Sequence, residues 1–409
     1  MKYLILLGDG IADHPISSLG GKTPLEFAYT PNMDWMASEG TLGMVDTIPS
    51  GLSPGSDVAN LAVLGYEPRD CYTGRGPLEA ASMGVQMGFD DVAFRCNLIT
   101  LGDGDNPLMA DFTAGHINSA EAGEIVQSLH KKVGSKDIAF YPGVSYRHLF
   151  LWKNGLADME TTPPHDITGR QVLDYLPKGE GAERLITLMR RAREVLEDHS
   201  VNKARVKSGK KPANSIWLWG QGRAPKLTPL TVRYKIKGGM ISAVDLLNGI
   251  GIYAGLNIIK VDGATGYIDT NYTGKARKAL DALKELDFVF LHVEAPDEMG
   301  HEGNMEGKIK AIEDFDKKVV GPVMDGITKF DAFRVLVLSD HPTPLILMTH
   351  SSDPSPFVVF SSQKSENLAR GSSFGEASAR SGGILISPGH MLMDFFIRDW
   401  RRFVDEKAH

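Results

Sequence analysis

Three short segments of the chain are apolar at nearly every position. Residues 3–8 read Tyr-Leu-Ile-Leu-Leu-Gly, residues 287–293 read Asp-Phe-Val-Phe-Leu-His-Val, and residues 333–338 read Phe-Arg-Val-Leu-Val-Leu. Runs of this length without polar alternation suit strands covered on both faces. Between the last two runs the period changes. Ile309, Ile312, Phe315, Val319, Val323 and Ile327 recur at spacings of three and four, with Lys, Glu and Asp between them. That spacing predicts a helix with one buried face. Strand, helix, strand in this order predicts a parallel α/β sheet. A further helix–strand unit is predicted from Ser242 into the Asn-Ile-Ile-Lys-Val run at 257–261.

The middle of the chain reads differently. Residues 100–235 carry dense turn signals, among them Gly102-Asp-Gly-Asp105, Asn106-Pro107, Pro163-Pro164 and Pro177. The basic stretch 203–211 reads as a solvated helix end or loop. With 409 residues the chain exceeds the size at which one hydrophobic core usually stops growing. Two domains are therefore expected: residues 1–73 together with 239–409, interrupted by a smaller domain at 74–238. No internal repeat or low-complexity tract is visible.

Composition narrows the function. The net charge of -7 gives no global attraction to nucleic acid or anionic membranes, so an anionic substrate would need a local basic pocket. The two cysteines, Cys71 and Cys96, are too few for a disulfide scaffold and suit a reducing compartment. The apolar start is interrupted by Gly8-Asp9-Gly10, too early for a signal-peptide core. No stretch approaches the ~20 apolar residues of a membrane helix. A cytoplasmic protein is expected.

Chemistry-bearing side chains follow directly on the apolar runs. Asp9 follows the first, Asp297 and His301 the second, Asp340 and His341 the third, and His350 comes shortly after. In an open parallel sheet the ligand site lies beyond the carboxyl ends of the strands, so these residues can converge. Asp297 and His301 are four apart and would share a face on one helical turn, although Gly300 leaves a loop equally open. Carboxylates and imidazoles suit Mn²⁺, Zn²⁺ or Mg²⁺ better than a thiolate site does. Ser56 is the nucleophile candidate, in Gly51-Leu-Ser-Pro-Gly-Ser56-Asp-Val-Ala-Asn60 ahead of a helical pattern. It could equally cap that helix, and the roles are compatible, because N–H groups at a helix start bind anions. Asn60, one turn on, could orient a phosphate or bond locally.

These segments together resemble the archaeal-type cofactor-independent phosphoglycerate mutases of the alkaline phosphatase superfamily. The carriers are Leu-Leu-Gly-Asp9-Gly, Pro-Gly-Ser56-Asp-Val-Ala-Asn-Leu, Gly74-Arg75-Gly-Pro77, Ala93-Phe-Arg95-Cys-Asn-Leu and Ile241-Ser-Ala-Val-Asp245-Leu-Leu. Gly263-Ala-Thr-Gly266-Tyr, His292-Val-Glu-Ala-Pro-Asp297-Glu-Met-Gly-His301, Ser339-Asp340-His341-Pro-Thr-Pro and Thr349-His350-Ser complete the set. The resemblance spans nearly the whole chain. It implies an alkaline-phosphatase-like, mostly parallel sheet flanked by helices, with a smaller inserted α/β domain.

The resemblance also implies interconversion of 3-phosphoglycerate and 2-phosphoglycerate, without 2,3-bisphosphoglycerate. One divalent ion would be held by Asp9, Ser56, Asp340 and His341, the other by Asp297, His301 and His350. The ions would be Mn²⁺ or Mg²⁺, with Zn²⁺ or Co²⁺ as further options. Ser56 would carry the phosphoryl group as a phosphoserine. The insertion would supply cations for a small phosphorylated carboxylic acid, with Arg75 and Arg95 the leading candidates and Arg147, Arg223 and Lys237 behind them. His116 and the pair His165–Asp166 could serve as acid/base groups or pack structurally. Bacterial relatives of similar length suggest a homoserine kinase as the alternative, and a phosphatase of the superfamily or a non-catalytic metal binder are further readings. The lack of a Gly-x-x-x-x-Gly-Lys-Ser/Thr loop favours the mutase over the kinase. The sequence leaves the physiological metal and the oligomeric state open.

Overall fold

The computed structural model describes residues 1–369 and 371–408. It divides into two compact units, Met1–Tyr72 with Lys226–His409, and Thr73–Pro225. Among the described residues no helix is long and apolar enough to cross a membrane.

The larger unit is built on an eight-stranded sheet among the described residues. Its order is Asn257–Ile258, Gly238–Ile241, Phe288–Val293, Lys2–Gly8, Phe333–Leu338, Ser355–Ser361, Thr41–Val45, Leu385–Ile386. Neighbours run parallel except at Ser355–Ser361, which is antiparallel on both sides. The three apolar runs form the middle of this sheet, with Lys2–Gly8 between the other two. Leu4, Ile5, Leu6 and Leu7 are all fully buried, so both faces are covered, as unbroken apolar runs require. The periodic segment 309–327 becomes the helix Met305–Phe315, a wide π turn at Asp316–Val320 and the helix Gly321–Ile327. Its Ile312, Phe315, Val319, Val323 and Ile327 pack in the same core as Leu4, Leu6, Val289 and Leu291.

Sheet register decides what meets at the carboxyl edge. Gly8 lies opposite Val293, and Leu7 opposite Leu338. The next residues, Asp9, Glu294 and Ser339-Asp340, therefore leave the sheet side by side.

The smaller unit is organised around an antiparallel sheet. Val92–Leu101 pairs with Arg147–Trp152 on one side and with Ser215–Gly222 on the other, with Met109–Asp111 and Ile138–Tyr141 adding to it. Val92, Phe94, Cys96 and Leu98 face a core completed by the helices Ser119–Val133 and Ala182–Glu197. Ala93 joins a separate cluster on the opposite face with Leu149, Leu151 and Ala80 of the helix Arg75–Ser82. The two-residue period of a strand puts Arg95 on that second face. The basic stretch ends the helix Ser200–Lys207 and is largely exposed. Its Arg205 is the exception, buried with its guanidinium on Glu121 and the carbonyl of Ala114.

The return crossing falls after Pro225, earlier than the 238 expected from composition. Residues 226–238 pack with the larger unit: the Tyr66 hydroxyl donates to the Thr228 carbonyl at 2.8 Å, and Arg233 pairs with Asp394 at 2.5 Å. Turn-rich sequence runs on through Pro225 and Pro229, so composition does not mark the junction.

Candidate active site

Three segments of the carboxyl edge and one helix start converge in the larger unit. Gly55 is extended and Ser56 opens the helix Ser56–Val63, so Ser56 is its first helical residue and not its cap. The Ser56 hydroxyl lies 3.2 Å from His341 Nε2. That nitrogen is 3.5 Å from Asp340 Oδ2 and 3.6 Å from Asp9 Oδ1. Asp9, Asp340 and His341 are all fully buried. Beside them, the helix Ala295–His301 brings Asp297 and His301 onto one face, with His301 Nε2 3.2 Å from Asp297 Oδ2. His350 Nε2 lies 3.5 Å from Asp297 Oδ1 and 3.0 Å from His301 Nε2. Ligand atoms of Asp9, Asp340 and His341 lie within 4.8 Å of one another, and so do those of Asp297, His301 and His350.

The electrostatics match a pair of cation sites. Burial, then Asp340, Glu294 and Asp297, push the Asp9 carboxyl well above the usual carboxylate range. Burial works in the same direction on Asp297, but hydrogen bonds from His301 and His350 overcome it and hold that carboxyl well below its ordinary value. The bond to Asp297 raises His301 to about 9. Burial lowers His341, which favours a neutral ring. Asp9 Oδ1 is buried without a hydrogen-bond partner, a costly arrangement that a cation relieves. Oxygen and imidazole donors with no thiolate suit Mg²⁺, Mn²⁺ or Zn²⁺. Both cysteines are buried elsewhere. The residues fit two divalent ions.

Several supporting side chains escaped the sequence reading. His292 Nε2 sits 2.8 Å from Asp9 Oδ2 and 3.2 Å from Glu294 Oε2, while its Nδ1 is 3.2 Å from the Ser242 hydroxyl. Fully buried Lys275 donates to the His292 carbonyl at 3.0 Å. Lys308, also fully buried, reaches Asp13 Oδ2 at 2.7 Å. The available signal was a polar residue inside an otherwise apolar or amphipathic run: His292 in the second apolar run, Lys308 beside Ile309. Asn60 makes local bonds, the second of the two roles considered above. Its amide donates to the Ser56 carbonyl at 2.8 Å and to Asp340 Oδ2 at 2.9 Å, tying the helix to the acid.

The smaller unit gathers a separate set of cations. Arg95 is held by Glu79 at 2.9 Å and stacks 4.4 Å from the centre of the Trp219 ring. Gly220 adjoins both leading arginines: a Cβ there would lie 3.6 Å from Arg95 Cδ and 3.8 Å from Arg75 Cβ. Burial lowers the Arg95 pKa, Glu79 opposes that, and the charges of Arg75 and Arg147 add to the lowering, so the three guanidinium groups share one field. His165 lies 5.5 Å from Trp219 and 3.5 Å from Asp166, and His116 is 6.4 Å from Tyr146, whose ring also neighbours Arg147.

Two candidates are placed elsewhere. Arg223 donates to the carbonyls of Asp90 at 2.6 Å and Gly155 at 3.0 Å, clamping two loops. Lys237 belongs to the larger unit. It is exposed just before the strand Gly238–Ile241, at the amino end of a parallel strand, whereas the site lies beyond the carboxyl ends.

A mostly parallel sheet, a serine opening a helix and paired Asp/His clusters at the carboxyl edge define an α/β protein with a candidate two-cation site. Comparison with known proteins refines the class. The family described as 2,3-bisphosphoglycerate-independent phosphoglycerate mutase matches residues 37–202. A probable 2,3-bisphosphoglycerate-independent phosphoglycerate mutase of Geobacter sulfurreducens is 55% identical over 97% of this chain and 100% of its own length. The Methanosarcina mazei enzyme of that name is 52% identical, again over 97% and 100%. Among solved structures, a Pyrococcus horikoshii protein superposes with a TM-score of 0.81 at 31% identity, covering 98% of this chain and 97% of its own. The cofactor-independent phosphoglycerate mutase of Thermoplasma acidophilum gives a TM-score of 0.65 at 27% identity over the full length of both. The chain belongs to the 2,3-bisphosphoglycerate-independent phosphoglycerate mutase family, whose members are isomerases.

Proposed function

We propose that the chain interconverts 3-phosphoglycerate and 2-phosphoglycerate in the cytoplasm, with Ser56 as nucleophile and no 2,3-bisphosphoglycerate. The observation that carries the mechanism is the Ser56 hydroxyl at a helix start, 3.2 Å from His341 Nε2. Asp9, Ser56, Asp340 and His341 would hold one divalent ion and Asp297, His301 and His350 the other. Mn²⁺ and Mg²⁺ are the leading ions, with Zn²⁺ and Co²⁺ behind them. When bound, such ions lower the pKa of a coordinated hydroxyl and offset phosphate charge.

The Ser56 oxygen bonds to phosphorus as the bond to the glycerate oxygen breaks. The start of the helix Ser56–Val63 would offer backbone donors to the phosphate oxygens. Glycerate then turns, and its other hydroxyl takes the phosphoryl group back. Arg75, Arg95 and Arg147 are the candidate partners of the substrate's carboxylate and phosphate, since guanidinium binds either in two-pronged fashion. His116, or His165 with Asp166, would exchange protons with the glycerate hydroxyls. The bonds of Arg223 to the Asp90 and Gly155 carbonyls, and the position of Lys237 just before the strand Gly238–Ile241, speak against a substrate role for either.

The direct test is incubation of purified protein with 3-phosphoglycerate and Mn²⁺, followed by phosphorus NMR. The 2-phosphoglycerate resonance should grow without added bisphosphoglycerate. Release of inorganic phosphate alone would point to a phosphatase instead.

A further inference from the structure

One hydroxyl touches a ligand of each metal cluster. The Thr343 hydroxyl donates to Asp297 Oδ1, and the same oxygen lies 3.3 Å from His341 Nδ1. An ionised carboxylate only accepts, so the single hydroxyl proton points to Asp297 and a lone pair is left for His341. A neutral imidazole then carries its proton on Nδ1, and its bare Nε2 faces Asp9, Asp340 and Ser56.

The surroundings are built for this hydroxyl. Gly10 has φ +58°, and a Cβ there would lie 2.5 Å from Thr343 Oγ1 and 2.6 Å from Asp297 Oδ1. A Cβ on Gly300 would lie 2.7 Å from the Thr343 carbonyl oxygen and 2.8 Å from Thr343 Cγ2. Behind it, Lys308 Nζ donates to the Thr343 carbonyl at 2.7 Å, and the residue is fully buried. Two missing side chains make the space and one buried ammonium fixes the backbone.

We infer that Thr343 is a positioning residue that couples the two metal clusters, setting the His341 ring for one ion and the Asp297 carboxylate for the other. The inference rests on the two-ion reading above and goes beyond it, because it makes the two affinities interdependent through a residue that binds neither ion. Outer hydrogen-bond partners of this kind typically change metal affinity about 10–100-fold.

The test is calorimetric titration of Mn²⁺ into the metal-free full-length protein. Wild type should bind two ions. Thr343→Val, which keeps the shape and removes the hydroxyl, should weaken both by about 10–100-fold. Thr343→Ser should stay within a few-fold of wild type and keep the wild-type Co²⁺ absorption spectrum, whereas Thr343→Val should alter it. If the valine variant does not fold, Thr343→Ala against Thr343→Ser gives the same comparison, with Ser expected to bind both ions about tenfold tighter. Wild-type affinities in Thr343→Val, weakening of one ion alone, or a serine variant no better than its hydroxyl-free counterpart would each overturn the coupling. A wild-type protein that binds no Mn²⁺ would instead remove the two-ion reading and the coupling with it.

Discussion

Ser56 Oγ and His341 Nε2 lie 3.2 Å apart although 285 positions separate them. The contact joins a helix start to the carboxyl end of a central strand. Ser53, the nearest other serine in sequence, is exposed and lies before the helix. Enzyme quenched during turnover should therefore carry phosphate on Ser56, localised by fragmentation mass spectrometry. Ser56→Ala should lower turnover by a factor on the order of 10⁴ or more while the circular dichroism spectrum is kept. Phosphate on Ser53, or an active alanine variant, would overturn this assignment.

Each of the two Asp/His clusters should hold one ion. Elemental analysis should find two ions per chain in wild type and one in Asp297→Ala or His350→Ala. Excess chelator should abolish activity, and readdition of Mn²⁺ should restore it. Full activity with no bound metal would reject the metal assignment.

Arg75 and Arg95 should act on substrate binding. Replacing either by Lys keeps the charge but removes the two-pronged geometry. Loss of a charged hydrogen bond of ~1.5–3 kcal/mol corresponds to about a 10–100-fold rise in KM. Steady-state kinetics with phosphate release measured in parallel would decide it. Unchanged KM and leakage in both variants would exclude the role.

Gly10→Ala should be costly. The left-handed conformation at φ +58° penalises a side chain by roughly 1–2 kcal/mol, and the new Cβ would collide with Thr343 and Asp297. A lower melting temperature together with weaker Mn²⁺ binding is expected. A variant that melts later than wild type would contradict the tight packing at this turn.

The smaller unit carries a pH-dependent element. Buried His148 accepts the Gly143 N–H at Nδ1, 2.9 Å away, and burial lowers its pKa from 6.5 to about 4. Between pH 6.5 and about 4 the ring is neutral in the folded state but protonated in the unfolded chain. This contribution is fully present above pH 6.5 and is lost as pH falls towards about 4, where the unfolded chain already holds the proton. The loss is of order 3 kcal/mol. His148→Asn, whose side-chain oxygen can still accept that N–H, should flatten the fall in denaturant midpoint between these pH values. A parallel fall in both proteins would show that His148 does not contribute.

The sequence by itself determined the central strands, the helix between two of them, and the acids and imidazoles that end them, because those signals are local. A buried strand needs an unbroken apolar run, and a residue just past it lies at the sheet's edge. Asp9, Asp340 and His341 were legible for that reason, and Ser56 from its glycine- and proline-rich loop. Tertiary structure alone decided which side chains meet. Register put Gly8 beside Val293 and Leu7 beside Leu338, and so brought His292 and Glu294 to Asp9. Thr343 and Lys308 look like an ordinary loop threonine and a helix-surface lysine until three segments close around them. The place of Lys237 at the amino end of a parallel strand was hidden for the same reason: it depends on sheet direction, which no local pattern records.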